Sequence, residues 1–145
     1  MKIVVLKFGG TSVGSIDRIK KVSKIISLHM KSNRRVIVVS SAMSGVTNDF
    51  INKTKKISNN FNSAEYDVLV SSGEQISCAL ISGRLNHLGI KSRSWLSWQV
   101  PIFTEGDYKK SRIINIFKKR ILNYLKSGGV PIITGFQGIN FENRL

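Results

Sequence analysis

Apolar residues recur along this chain in two rhythms. Four short runs, Ile3 to Leu6, Arg35 to Val39, Ile90 to Trp95 and Val130 to Thr134, have the length and β-branched content of buried strands. Elsewhere the apolar positions recur every three or four residues. Ile16, Ile19, Val22, Ile26 and Met30 predict a helix, with Ser15 as its N-cap, Asp17 in its first turn and Asn33 as its stop. A second helix is predicted over 47–58, and the polar NNFNS breaks it from a third over 64–88. Gly73 is expected to interrupt that third helix and Gly89 to close it. Pro101 and Gly106-Asp107 mark a turn region. Lys109 to Lys126 then reads as an amphipathic helix, with Ile113, Ile114, Phe117, Ile121 and Leu125 on one face and Gly128-Gly129 at its C-cap.

Strands that alternate with helices predict an α/β fold, a largely parallel sheet sandwiched between helices in three layers. Such sheets bind ligands beyond the carboxyl ends of their strands. The strand ends here are KFGGTS, SSAMSGVTN, SWLSWQVP and TGFQG. All are rich in Gly, Ser, Thr or Trp and poor in ordinary solvated charge, which suggests that they share one site.

Composition narrows the classes. A chain of 145 residues with 41% hydrophobic content fits one globular domain. No stretch approaches the ~20 apolar residues of a membrane span, and Ile3 to Leu6 is too short for the apolar core of a signal peptide. The expected compartment is the cytoplasm, with no membrane partner. Cys78 is the only cysteine, which excludes an internal disulfide and a cysteine-based zinc site. Its apolar context, QISCALIS, predicts a buried structural thiol. The net charge of +15 would attract polyanions. Its lysines, however, are spread over helical polar faces (Lys20, Lys21 and Lys24; Lys53, Lys55 and Lys56; Lys118 and Lys119) without interleaved aromatics. No specific nucleic-acid partner is expected, and His29 and His87 are read as ordinary surface or boundary residues. With only eight carboxylates in the chain, Glu74 inside SSGEQ stands out.

The first loop suits a phosphate. Gly9 and Gly10 allow consecutive amides to form an anion nest, the helix from Ser15 adds its positive end, and Lys7 adds a full charge at a strand terminus. The spacing is neither GxxxxGK[ST] nor GxGxxG, and a plain tight turn with a solvated Lys7 remains the alternative. Glu74 is either a solvated helical carboxylate or a grip for an ammonium group. Ser41 and Thr47 can donate to a carboxylate, so the three together suit a zwitterion of amino-acid size beside the phosphate nest.

Taken in order, KFGGTSV at 7–13, VVSSAMSGVTN at 38–48, SSGEQ at 71–75, RSWLSWQVPIFT at 93–104 and GFQGI at 135–139 resemble the aspartate kinases of the amino-acid-kinase family, across essentially the whole chain. The resemblance implies phosphoryl transfer from ATP to the side-chain carboxylate of L-aspartate, the first step towards lysine, threonine and methionine, with Mg2+ bound through the nucleotide. It implies that Lys7 stabilises the transferring phosphoryl group, that Lys7, Phe8, Gly9 and Gly10 line the nucleotide phosphates, and that Ser41, Thr47 and Glu74 hold aspartate. No metal-ligating side chain is assigned. Family members oligomerise, but no state is assigned to this chain. In the family a stretch close to TTLGRGGSD, whose Arg, Ser and Asp serve the same centre, follows the GFxG segment; this chain reaches FENRL there. The expectation is therefore the N-terminal part of a catalytic domain, without its C-terminal lobe and ACT-type regulatory domains, and with little activity alone. A non-catalytic remnant or half of a split enzyme is the alternative, and a basic nucleic-acid-binding protein is the more distant one.

Overall fold

The first forty residues fold much as their rhythm dictates. In the computed structural model, which describes residues 2–32, 34–108 and 110–145, strand β1 (Ile3–Phe8) leads through a single 3-10 turn (Gly10–Val13) into helix α1 (Ile16–Lys31). The Ser15 hydroxyl caps α1 by accepting from the Arg18 amide at 3.3 Å, and Asp17 lies in the first turn. The expected stop at Asn33 lies outside the described residues. Ile19, Val22 and Ile26 are buried on the face that packs on the sheet; each such side chain contributes roughly 1.5–3 kcal/mol.

Strand β2 (Arg35–Ser40), helix α2 (Val46–Ile57) and helix α3 (Ser63–His87) follow. Asn62 caps α3 by accepting from the amides of Ala64 and Glu65. Contrary to expectation, α3 runs unbroken through Gly73. A Cβ at Gly73 would meet Val46 Cγ1 at 3.0 Å and Ala42 Cβ at 3.1 Å. The glycine is there to let α2 approach α3, at a helix-propensity cost of about 1 kcal/mol. Gly89, at φ 76°, does end the helix region.

After β3 (Ser92–Trp95), the expected helix over 109–126 is replaced by two elements. Strands β4 (Ile102–Glu105) and β5 (Arg112–Ile116) form an antiparallel hairpin around Gly106, and only then does helix α4 (Lys119–Lys126) begin. Lys109, the expected start, lies outside the described residues. The hairpin is pinned by Phe103, whose ring meets Phe117 edge-on at 5.5 Å and stacks on Phe141 at 6.1 Å. Ile113 and Ile114 therefore lie on an exposed strand, while Ile121 and Leu125 keep the buried helical face. Gly128-Gly129 closes α4 as expected, through amides that donate to the carbonyls of Leu125 and Tyr124.

Strand β6 (Val130–Thr134) completes a four-stranded parallel sheet in the order β1-β2-β6-β3. Helices α1 and α3 cover one face over a core that includes Val36, Val38, Ile81, Leu85 and Ile132. Helix α4 covers the other through a smaller core of Trp95, Val100 and Ile121, with the Trp95 ring edge-on to Tyr124 at 5.6 Å. This is the expected three-layer α/β arrangement, with α4 packed on β6 and β2. The expected full burial of β1 is half right: Ile3 and Val5 are 41% and 61% exposed, whereas Phe8 is buried. Among the described residues no helix is long and apolar enough to cross a membrane.

Candidate active site

Three strand ends are knitted into one floor. The Ser41 amide donates to the Phe8 carbonyl at 3.0 Å, and the Gly135 amide donates to the Ser40 carbonyl at 3.0 Å. These bonds extend the sheet ladder one step beyond β1, β2 and β6 and fix the loops that follow. Gly10 is required for the same closeness, since a Cβ there would stand 2.9 Å from the Ala42 carbonyl oxygen.

The pleat of β1 divides its last two side chains. Lys7 follows Ile3 and Val5 on the exposed side of the strand, while Phe8 turns into the core beneath α1 and α3. Phe8 therefore faces the site through its backbone alone. The expected anion nest takes a different form. Gly9 has φ −78° and ψ 167°, Gly10 opens the 3-10 turn, and neither uses the left-handed region. The form of nest that alternates right- and left-handed residues is therefore absent at Gly9-Gly10, and the amides there are presented by a turn instead. Here Gly10 serves close approach and Gly9 an exposed turn entry, two residues after Lys7 in the chain. The turn is tied to α1 by Arg18, whose Nη1 donates to the Thr11 carbonyl at 2.6 Å.

Glu74 lies midway along α3, only 8% exposed. Burial pushes its carboxyl up to about 7, and the nearby amides of Phe136 and Ala42 and the Lys7 ammonium pull back against that rise. Its Oε2 is buried with no hydrogen-bond partner among the described residues. Glu74 forms the wall of a cavity of about 300 Å³ together with Thr47, Tyr66, Val70 and Phe136. The solvated alternative for Glu74 is thereby set aside. Thr47 enters from the first turn of α2, which begins after Gly45 at φ 86°. Ser41 is half-buried at the end of β2, bound through its backbone to Phe8 and α3.

Thr47 and Glu74 thus share one cavity, Lys7 is near enough to act on Glu74, and Ser41 joins them through the loop floor. The SWLSWQVP segment does not join them. Trp95 is buried in the second core under the Arg93 guanidinium, 4.4 Å from its ring centre, and Trp98 is exposed.

A family model described as the amino acid kinase family matches residues 2–145. The chain belongs to the amino acid kinase family. Among relatives in that family, the aspartokinase of Rickettsia conorii is 45% identical over all of this chain, which spans 37% of that relative. The aspartokinase of Geobacillus stearothermophilus is 43% identical over 96% of this chain and 34% of its own length. This chain thus spans little more than a third of these curated relatives. Among solved structures, the aspartate kinase of Synechocystis superposes with a TM-score of 0.82 at 32% identity, over 100% of this chain and 23% of that one.

Within the family frame, two residues at the centre went unmarked in the sequence. Phe136 was visible only as part of GFQG, and its place on the Glu74 cavity depends on the β6 loop folding back over α3. Ser77 was hidden in QISCALIS, where a serine in an apolar helix ordinarily satisfies its own helix. Cys78, its neighbour, is fully buried as expected, and burial pushes its thiol up to about 12.

Proposed function

We propose that this chain forms the aspartate- and phosphate-facing part of an aspartate kinase, the N-terminal part of its catalytic domain. The observation that carries the proposal is the Glu74 carboxylate, buried, short of a hydrogen-bond partner at Oε2, and facing a cavity shared with Thr47. An orphaned carboxylate oxygen of that kind calls for a cation, and the α-ammonium of L-aspartate supplies one. That ammonium also favours the ionised form of Glu74 at neutral pH. Thr47 and Ser41 hydroxyls donate to the α-carboxylate, which leaves the side-chain carboxylate pointing towards the end of β1. The aspartate side-chain carboxylate is already ionised at neutral pH, so transfer needs no general base.

Lys7 and the turn at Gly9-Gly10 fit a nucleotide polyphosphate: a cation fixed at a strand terminus beside an open turn. In this proposal ATP donates its terminal phosphoryl group, and Mg2+ arrives on its phosphates. Lys7 neutralises charge that grows on the phosphoryl oxygens as one oxygen of the aspartate side chain bonds to phosphorus. The relatives' names support the choice of aspartate over other acceptors. The products are 4-phospho-L-aspartate and ADP.

The test is resonance mapping on the isotope-labelled chain. L-Aspartate is expected to shift Thr47, Glu74 and Phe136, and Mg-ADP to shift Lys7 to Thr11, with D-aspartate and L-lysine leaving the first group in place. A parallel hydroxamate assay reads any acyl phosphate formed. If both ligands gave only scattered surface shifts, the proposal would fail.

A further inference from the structure

Three serines of α3 do not behave alike. Ser71 and Ser72 donate back to the carbonyls of Val68 and Leu69, three residues earlier in their own helix. Ser77 lies 2.9 Å from the equivalent carbonyl, that of Glu74, but it is closer to another: its Oγ donates to the Ser41 carbonyl at 2.7 Å, 36 residues away. A hydroxyl has one proton. The shorter contact crosses from helix to strand end, and the carbonyl of Glu74 is the longer of the two. Ser40 Oγ stands 3.4 Å from Ser77 Oγ and also donates to the Ser41 carbonyl at 3.2 Å. Ser40 and Ser77 are both fully buried. The Ser40 carbonyl in turn receives the Gly135 amide.

Three of these contacts meet at the Ser77 hydroxyl, and what they join matters. Ser77 is one helical turn beyond Glu74, so its side chain fixes the height of that turn against the end of β2. The loop leaving β2 carries Ser41 and leads to Thr47, and the loop leaving β6 carries Gly135 and Phe136. We infer that Ser77 is a positioning residue, whose hydroxyl sets the spacing between Glu74 and the Ser41–Thr47 loop and so the fit of the amino-acid ligand. This rests on the aspartate-binding role proposed above. Ser77 touches no substrate. It acts by holding the two sides of the cavity at one separation, in a region where a buried hydrogen bond lost on one side leaves its partner unsatisfied. The Ser41 carbonyl would retain only the longer bond from Ser40.

The experiment compares Ser77→Ala, Ser77→Thr and Ser71→Ala in the same chain, with two readouts. The first is L-aspartate affinity from resonance shifts. The second is the carboxyl titration midpoint of Glu74, followed by carbon-detected resonance. Ser71→Ala removes a buried hydroxyl bonded only within α3 and controls for helix stability. For Ser77→Ala we expect aspartate affinity to fall about five- to tenfold, the effect of one hydrogen bond. We also expect the Glu74 midpoint to drop from about 7 towards 4.5 as the loosened wall lets water in. Ser77→Thr restores the hydroxyl and is expected to recover both values; Ser71→Ala is expected to leave both near wild type. An unmoved Glu74 midpoint in folded Ser77→Ala would overturn the inference, and so would equal losses in Ser71→Ala. If wild type itself bound no L-aspartate, the aspartate-binding proposal would fall instead, and the midpoint alone would decide whether Ser77 sets the spacing.

Discussion

A Cβ placed on Gly135 would stand 2.6 Å from Oε2 of Glu74. The glycine after β6 is therefore part of the space that the carboxylate occupies. Gly135→Ala presses on the flexible end of a side chain, with the Ser40 carbonyl next at 3.2 Å. We expect the Glu74 carboxylate to swing away, with the fold retained. Aspartate affinity should fall at least about tenfold, and the melting temperature should change by only a few degrees. Calorimetric titration beside a circular-dichroism melt checks both. Unchanged affinity would show that Glu74 does not hold the ligand.

Burial raises the Glu74 carboxyl from 4.5 to about 7, so the folded chain holds a proton that the unfolded chain releases across that window. Where the folded state binds more protons, stability falls as pH rises. The Glu74 contribution is thus present in full below about pH 4.5 and is lost as pH climbs through about 7. Denaturant melts of wild type should show that fall, and Glu74→Gln should flatten this part of the profile. L-Aspartate should oppose the fall, because its ammonium stabilises the ionised carboxylate. A Glu74→Gln profile parallel to wild type would assign the slope to other groups.

Lys7 is exposed at the end of an edge strand and packs against little. Lys7→Ala should leave the melting temperature within the usual range for surface changes, about ±0.5 kcal/mol. It should weaken Mg-ADP by one charge-assisted contact, roughly tenfold or more. Fluorescent-nucleotide displacement measures this. Equal affinity, or an unfolded variant, would return Lys7 to the role of a turn residue.

Cys78 should be inert in the native chain. It is fully buried, and its thiol is pushed up to about 12, so almost no thiolate exists at neutral pH. Ellman's reagent should release no colour under native conditions and one equivalent in guanidinium. Rapid native labelling would mean that α3 opens locally.

The basic surface should bind nucleic acid only weakly. Its lysines are dispersed over α1, α2 and α4, and Lys20 and Lys53 are paired with Asp17 and Asp49. Filter retention near physiological salt should lie in the non-specific range of roughly 10⁻⁴–10⁻⁶ M, without sequence preference. A nanomolar, sequence-selective complex would contradict the reading of the charge as solvated helix faces.

Sequence pattern carried the α1 and β2 region because local signals agreed there: a capping serine, a regular apolar stripe and a β-branched run. The region from Ile113 to Leu125 misled because strand and helix residues happened to share a helical spacing. RIINI held the opposing signal, three β-branched residues in five, and the aromatic contacts of Phe103 that select the hairpin come from distant positions. At the site, residue type was informative for Glu74, a lone carboxylate among apolar residues that the fold buries against a cavity. Gly135 and Ser77 were opaque for a different reason. Their roles are distances to residues far along the chain, and no local rule encodes those.

The strand order β1-β2-β6-β3 has a consequence for how the molecule comes into being. During synthesis β1, β2 and β3 leave the ribosome first, and the slot between β2 and β3 stays open until the segment from Val130 to Thr134 arrives. Chains emerge at about 5–20 residues per second and domains settle as units. The sheet therefore cannot close early by local pairing alone. Of these four strands, β6, which lies between β2 and β3, is translated after the other three, and the segment that brings Gly135 and Phe136 over Glu74 comes immediately behind it. Burial in the folded chain is what raises the carboxyl from 4.5 to about 7, so its raised affinity for a proton belongs to the assembled sheet and its loops rather than to α3 by itself.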